Sequence, residues 1–186
     1  MSESRRVFSV EPVDVPEREV AIWLWAMEEA RRGLLWSVRG VEQDELDWRG
    51  PIGKDNSIGT LLTHIAAVEL GWCYFDVLGE PFPPDLMALF PYENDRGPDG
   101  TLVHVAGQDV QTHLDRLATV RRTVLEKFGA MDLEDWHRLR EPKGEDYAMS
   151  PAWTVFHLIE HEAGHGYEIR AIRRRWRQSQ ESPVGP

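Results

Sequence analysis

Residues 153–172 have the sequence WTVFHLIEHEAGHGYEIRAI, in which apolar residues and histidines recur at helical spacing. Ser150 and Pro151 precede this segment, as an N-cap residue followed by proline at the first helical position. The periodicity continues through Trp176, which predicts a helix about 40 Å long at a rise of about 1.5 Å per residue. The segment is therefore predicted to be the last helix of an all-α protein.

Three histidines lie four residues apart in this helix, at His157, His161 and His165. Side chains four residues apart project from the same side of a helix, one turn from each other, so His161 and His165 form a clamp for a metal ion. Three successive turns cannot all reach one ion without strain. His157 is therefore expected to line the pocket or to donate a hydrogen bond behind the ligands, and a third ligand is needed from another helix.

The best candidate for that third ligand is His64, within DNSIGTLLTHIAAVELGW at residues 55–72. A lone histidine on an apolar helix stripe is more often a core residue, but a histidine clamp on another helix of the same bundle favours a ligand. Three imidazoles leave coordination positions open for water or substrate, which is typical of a catalytic site. Neutral imidazole suits zinc, nickel, copper or iron, with zinc and nickel as the first candidates.

Glu162 points about 100° away from His161 around the helix, and we expect it to flank the metal pocket and assist proton transfer. The alternative is a solvated or salt-bridging carboxylate. HEAGH, at residues 161–165, also matches the His-Glu-x-x-His pattern of zinc proteases. That interpretation is disfavoured because the only acids downstream are Glu168 and Glu181, and because no strand is predicted to align a peptide.

Three further segments have helical periodicity: Pro16 to about Arg39, Asn56 or Ser57 to Gly79, and Asp109 to Phe128. The long connection from Glu80 to Gly107 is rich in proline and glycine, with a candidate short helix in PPDLMALFP. Such a span suits a crossover between bundle helices. We therefore predict an all-α four-helix bundle with a long crossover between the second and third helices.

The chain is predicted to be a single domain over residues 1–186, with its core at about 17–177 and loose termini before Val13 and after Gln178. Four tryptophans fall in predicted helices and suggest an aromatic-rich core: Trp23, Trp25, Trp36 and Trp72.

The formal net charge of −11 argues against a nucleic-acid partner, which would need a basic face. The five arginines of Arg170–Arg177 are interpreted as a solvated helix end that complements the macrodipole, with an anion patch as the alternative. The single cysteine, Cys73, excludes an internal disulfide and is predicted to be a small buried hydrophobe. No apolar run of membrane-spanning length and no signal peptide are evident, so a cytoplasmic protein without a membrane partner is expected.

The segments at residues 55–72 and 153–172 together resemble the DinB/YfiT-like superfamily of metal-binding four-helix bundles. The resemblance covers about residues 17–177. The first segment is similar to the family's second-helix segment with its metal histidine, and the second to the last-helix segment that supplies two more. The family's usual His-Glu-Ala-His-His-Arg-Gly-Gln run keeps both ligand histidines here, but four of its positions differ: Gly164, Gly166, Tyr167 and Glu168.

The resemblance implies a metal centre, a homodimer and thiol-dependent chemistry, such as transfer of bacillithiol to electrophiles or mycothiol-dependent isomerisation. The leading hypothesis is a metal-dependent transferase that joins a small thiol to an electrophilic substrate. In it, His64, His161 and His165 hold the ion, and Glu162 assists proton transfer. Two alternatives stay open: a non-enzymatic, stress-related bundle that binds a metal or a small molecule, and a metal-dependent hydrolase.

Overall fold

The computed structural model describes residues 7–181, and regular structure in this part of the chain is helical. Four long helices dominate: α1 (Arg18–Ser37), α3 (Ile58–Gly71), α5 (Val110–Gly129) and α7 (Pro151–Glu181). A π-helical segment, Trp72–Leu78, continues α3. Three short helices lie in the connections: α2 (Gln43–Leu46), α4 (Pro84–Met87) and α6 (Leu133–His137).

The helix termini follow local signals in the sequence. The Ser57 hydroxyl accepts a hydrogen bond from the Thr60 amide at 3.2 Å and caps α3. Asp109 caps α5 in the same way. Gly79 has a φ of 66°, a left-handed conformation that glycine adopts without steric cost, and it ends the π-helical segment. The predicted starts at Ser57 and Pro151 and the predicted stop at Gly79 are confirmed.

The closest helix pairs are α1 with α7 and α3 with α5, and further contacts join α3 to α7 and α1 to α5. Residues 7–181 contain no β-strand, only isolated bridges between Arg96 and Leu102 and between Arg140 and Met149. The all-α prediction is therefore confirmed. The crossover topology of the long connection stays a prediction. The termini predicted to be loose lie partly outside the described residues.

Helix α3 is the most completely buried of the long helices, with apolar residues around most of its circumference. With its π-helical continuation it spans Ile58–Leu78, and these 21 residues, with a mean hydropathy of 1.3, would be long and apolar enough to cross a membrane. The sequence-based statement that no such run exists was wrong. Within this segment, 61% of the most apolar 18-residue stretch is buried inside the protein. The apolar composition is therefore explained by the position of the helix in the core.

The aromatic core differs from the one predicted. Trp36 is 71% exposed, whereas Trp23, Trp25 and Trp72 are half-buried. The one tryptophan described as fully buried is Trp136 of α6, which packs edge-on against Phe128 with ring centroids 6.0 Å apart.

The π-helical segment explains part of that difference. Its wider turn changes which residues face inward, so that Cys73, Tyr74 and Val77 are buried while Phe75 is 52% exposed. Extrapolating the α-helical spacing of α3 places Trp72 and Phe75 on the buried stripe. The change of period turns the Phe75 ring towards the surface, whereas Trp72, at the start of the segment, stays half-buried against the core.

Four charged side chains, one from each long helix, form a buried ion cluster in the core: Arg31, Glu69, Arg121 and Glu162. Arg31 donates to Glu162 at 2.5 Å and to Glu69 at 2.8 Å. Arg121 donates to the same two carboxylates, at 2.5 Å in each case. Each side chain is at most 7% exposed, so the four charges satisfy one another in a closed ring.

The electrostatics of the cluster agree with this pairing. Burial by itself would raise the pKa of Glu69, but Arg121 and Arg31 outweigh it and hold that pKa below its ordinary value. Burial would lower the pKa of Arg121, whereas Glu69 and Glu162 raise it. Glu69 and Arg121 are therefore charged at neutral pH, and each depends on its partners to remain so in the core.

We expect Glu162→Ala to lower the free energy of unfolding by about 3–5 kcal/mol, because it leaves two buried guanidinium groups short of a partner. Chemical denaturation followed by circular dichroism measures the change. Glu160→Ala, at an exposed position of the same helix, is the control and should change stability by no more than about 0.5 kcal/mol. Equal stability of the two variants would contradict the structural role of the cluster.

His113 is a second buried polar group, and it packs between α5 and α3. Its Nδ1 lies 3.1 Å from both the Thr63 hydroxyl and an Arg116 nitrogen, and its Nε2 has no hydrogen-bond partner among the described residues. A Cβ added at Gly59 would lie 3.0 Å from that Nε2, so the ring has no room to move. Burial and the Arg116 charge lower the pKa of His113 to about 4.

The lowered pKa predicts acid sensitivity. In the unfolded chain His113 takes up a proton near the ordinary histidine pKa of 6.5, whereas in the folded protein it stays neutral down to about pH 4. The free energy of unfolding should therefore fall between these pH values, by up to about 1.4 kcal/mol per pH unit. Chemical denaturation at several pH values should show a smaller fall for His113→Asn, and an identical pH dependence would contradict this account.

Candidate metal centre

Three histidines converge from two helices: His64 of α3 and His161 and His165 of α7. The Nε2 of His161 lies 3.2 Å from the Nε2 of His64 and 3.2 Å from that of His165. One ring nitrogen from each residue lies within 4.8 Å of the other two. The structure thus brings together the three residues that the sequence predicted to meet.

The spacing of these nitrogens fits a single ion. Nitrogen ligands lie about 2.0–2.1 Å from zinc, so two of them at bond angles of roughly 90–110° are about 2.9–3.4 Å apart. Without an ion, two imidazole nitrogens at 3.2 Å need a proton between them, and one nitrogen of His161 cannot supply a proton to both neighbours. The donor set and its geometry therefore fit a divalent metal ion.

Carboxylates form hydrogen bonds with two of the three rings, on the side away from the converging Nε2 atoms. Asp95 accepts a hydrogen bond from Nδ1 of His64 at 2.7 Å, and Glu168 accepts one from Nδ1 of His165 at 2.9 Å. These hydrogen bonds are the main reason that the pKa values of both carboxyl groups are lowered. A proton held on Nδ1 leaves the Nε2 lone pair free to face the centre, as in the carboxylate–histidine pairs of metal sites.

The central ring, His161, is electrostatically suited to be a neutral ligand. Burial, which is the largest cause, and the neighbouring rings of His165, His64 and His157 together lower its pKa to about 3. Its imidazole is therefore neutral at physiological pH, which is the form that coordinates a metal ion.

His157 does not join the three converging nitrogens. Its ring stacks on Trp153, with centroids 5.2 Å apart and an interplanar angle of 4°, and lies 4.9 Å from the Trp72 ring. The centroid of its ring is 6.2 Å from that of His161. His157 therefore does not close on the ion, as expected, whereas its predicted role as a pocket-lining or hydrogen-bonding residue stays a prediction.

The contacts of Glu162 differ from those predicted for it. Its carboxylate lies in the buried ion cluster, where one oxygen accepts from Arg31 and the other from Arg121. Both oxygens are thus engaged by guanidinium groups in the core, so neither is directed at the converging histidine nitrogens. The geometry therefore corrects the expectation that Glu162 flanks the metal pocket as a base, and it favours the salt-bridging alternative.

Sequence reasoning did not find Asp95, which lies in the connection between α4 and α5. No spacing rule relates this residue to His64, which is 31 positions earlier, and only the folded connection brings the two together. Glu168 had a usable signal, because it follows His165 by three residues and so lies on the same face of α7.

The arginine-rich end of α7 makes structural contacts. Arg173 donates to Glu45 and to the backbone oxygens of Ser37 and Arg39, at the carboxyl end of α1. Arg170 donates to the Ser37 hydroxyl at 2.8 Å. These contacts satisfy carbonyls at the end of α1, whereas α7 itself continues to Glu181, so Arg170 and Arg173 are not part of the solvated helix end that was predicted.

A cleft of about 280 Å³ lies beside the histidines, between the α3–π segment and the connection that follows it. Asp95, which is bonded to His64, and Trp72, which contacts His157, both line it. The cleft therefore reaches the residues directly behind the candidate metal ligands, and its volume is near the lower end of the range for small-molecule sites, about 300–1,000 Å³.

Comparison with known proteins supports a family assignment. A sequence model of the DinB superfamily matches residues 26–169, a range that contains His64, His161 and His165 and more than half of the chain. No curated protein gives a significant match. The extent of the match, together with the helical fold and the converging histidines, shows that this protein belongs to the DinB superfamily.

Proposed function

We propose that this protein binds one divalent metal ion through His64, His161 and His165 and transfers a small thiol to an electrophilic substrate. The DinB superfamily is commonly metal-binding, which supports the first part. The observation that carries the proposal is the convergence of three imidazole nitrogens without a fourth ligand. Within residues 7–181, no cysteine, carboxylate or further histidine joins the group. Three protein ligands leave a coordination position for an external molecule.

The thiol has to come from outside the chain. Cys73 is the only cysteine in the sequence, and it is fully buried. Burial and the nearby Glu69 raise its pKa to about 12, so it stays protonated and unreactive at neutral pH. A thiolate nucleophile must therefore belong to a small molecule that enters the site.

The metal ion, when bound, would supply Lewis acidity that lowers the pKa of a coordinated thiol. Asp95 and Glu168 keep the protons of His64 and His165 on Nδ1 and so keep both Nε2 atoms directed at the centre. The half-buried rings of Trp72 and His157 cover one side of the histidine group. The thiol sulfur forms a bond to carbon of the electrophile, the leaving group departs with its electron pair, and the thiol proton passes to solvent.

The two alternatives have less support. A purely structural metal site would have its coordination closed by a fourth protein group, and the described residues provide none. Hydrolysis would benefit from a free carboxylate as a base, but Glu162, predicted for that role, is bonded to Arg31 and Arg121. Thiol transfer makes a smaller demand on a base, because a coordinated thiol ionises more readily than water.

Metal affinity tests the ligand set. We expect His161→Ala to lose the bound ion, whereas Asp95→Asn should retain it with about 10–100-fold lower affinity, because the amide is a weaker acceptor for the His64 proton. Competition with a chelating dye, combined with elemental analysis, measures both effects.

His157→Ala and Asp99→Asn are the controls, since His157 lies outside the converging group and Asp99 is exposed in the same connection as Asp95. Unchanged metal content in His161→Ala would refute the three-histidine site. Equal affinities for Asp95→Asn and Asp99→Asn would refute the orienting role of Asp95.

Activity is tested by incubating the zinc- or nickel-loaded protein with a small thiol and 1-chloro-2,4-dinitrobenzene. We expect an S-aryl conjugate and release of chloride at a rate that depends on bound metal and falls to the uncatalysed background in His161→Ala. Mass spectrometry of the product measures the conjugate with bacillithiol, mycothiol, cysteine and cysteamine in turn. If metal-loaded protein forms conjugate no faster than the metal-free protein with every thiol, the transferase proposal is wrong.

A further inference from the structure

The cleft beside the candidate metal centre is lined by aromatic and acidic side chains. Five aromatic rings line it: Trp72, Phe75, Phe82, Phe90 and Tyr92. Phe75 and Phe82 are stacked with centroids 4.2 Å apart, and the exposed ring of Phe75 forms part of the rim. Rings on both sides of a small cleft favour a ligand with a flat or apolar body.

The polar lining of the same cleft is acidic. Its three ionisable carboxyl groups are those of Asp76, Glu93 and Asp95, and the lining contains no lysine, arginine or histidine among the described residues. Asp76 accepts a hydrogen bond from Tyr147 at 2.7 Å, which fixes its side chain, while Glu93 is exposed at the opening. A ligand that carries a negative charge would be repelled here.

Several cations lie near the cleft without lining it: Arg96, Arg116, Arg140 and Lys143. Arg96 donates to the Gly100 backbone oxygen, and Arg140 donates to the Val77 backbone oxygen and to Asp135. The Arg116 guanidinium is 5.9 Å from the centroid of Phe90 and donates to the Leu89 backbone oxygen and to Gln108 and Thr63. It is buried, so it does not offer its donors to a molecule in the cleft. Asp95 is paired with His64, whereas Asp76 and Glu93 form no salt bridge with a described residue. Aromatic faces combined with such carboxylates are what proteins use to bind organic ammonium groups.

We propose that this cleft binds the electrophilic substrate and selects a small aromatic or apolar molecule that carries a positively charged amine. The apolar body lies among the rings of Trp72, Phe75 and Phe82, and the ammonium group faces Glu93 and Asp76. This inference rests on the proposed function for the role of the bound molecule as an acceptor. The selectivity for charge rests on the cleft alone, and so it can be tested by binding without any turnover.

The test compares three ligands of similar shape: 2-phenylethylamine, 2-phenylethanol and phenylacetate, which are cationic, neutral and anionic at neutral pH. Calorimetry or ligand-observed NMR with the full-length protein, both metal-free and zinc-loaded, gives the dissociation constants. We expect the amine to bind at least about tenfold more tightly than the acid, with the alcohol between them.

Glu93→Gln should weaken binding of the amine about three- to tenfold while binding of the alcohol stays the same, because only the charge is removed. Phe82→Ala should weaken all three ligands together. Glu134→Gln, at an exposed position of α6 away from the cleft, is the matched control for removal of one negative charge. Equal or tighter binding of phenylacetate, or an unchanged amine preference in Glu93→Gln, would overturn the inference.

The outcomes separate this inference from the proposed function. Selective binding of the amine without any thiol conjugation would support the cleft and refute the transferase. Metal-dependent conjugation of anionic acceptors as readily as of matched amine-bearing acceptors would support the transferase and refute the assignment of the cleft.

Discussion

The pairing of four buried charges constrains the rest of the structure. Four different helices supply these charges: Arg31, Glu69, Arg121 and Glu162. Burying any one of them is favourable only when its oppositely charged partners on the other helices lie within hydrogen-bonding distance. This requirement sets the rotation of each helix about its axis. Apolar packing alone tolerates many small rotations of a helix, whereas a closed ring of hydrogen-bonded charges does not.

The candidate metal centre is a consequence of that rotation. Glu69 and His64 are five residues apart on α3, and Glu162 is next to His161 on α7. With both glutamates held by the arginines, α3 and α7 present their histidines to each other, and the Nε2 atoms of His64 and His161 come within 3.2 Å. The ion cluster therefore supports the histidine group from inside the helical core, which gives Glu162 an indirect part in the candidate site.

The long connection between the π-helical segment and α5 contributes residues to the candidate site that the long helices do not supply. It supplies Asp95, whose carboxylate orients His64, and the same stretch of chain forms the wall of the aromatic cleft. One segment thus contributes both the carboxylate that orients a candidate metal ligand and part of the wall of the cleft. When a rigid helical scaffold carries a loop, changes in the loop sequence can alter ligand specificity while the fold stays the same.

The amino-acid sequence was enough to predict the four long helices, several of their ends and the three converging histidines, because periodicity, capping and four-residue spacing are local properties of the chain, whereas the short helices α2 and α6 were not predicted. It also predicted that Cys73, the only cysteine in the sequence, is a small buried hydrophobe, and the structure confirms that it is buried. The place of Glu162, the pairing of Asp95 with His64 and the exposure of Phe75 became visible only in the folded chain. These features depend on contacts between residues distant in sequence, and on a π-helical change of period that spacing rules do not anticipate.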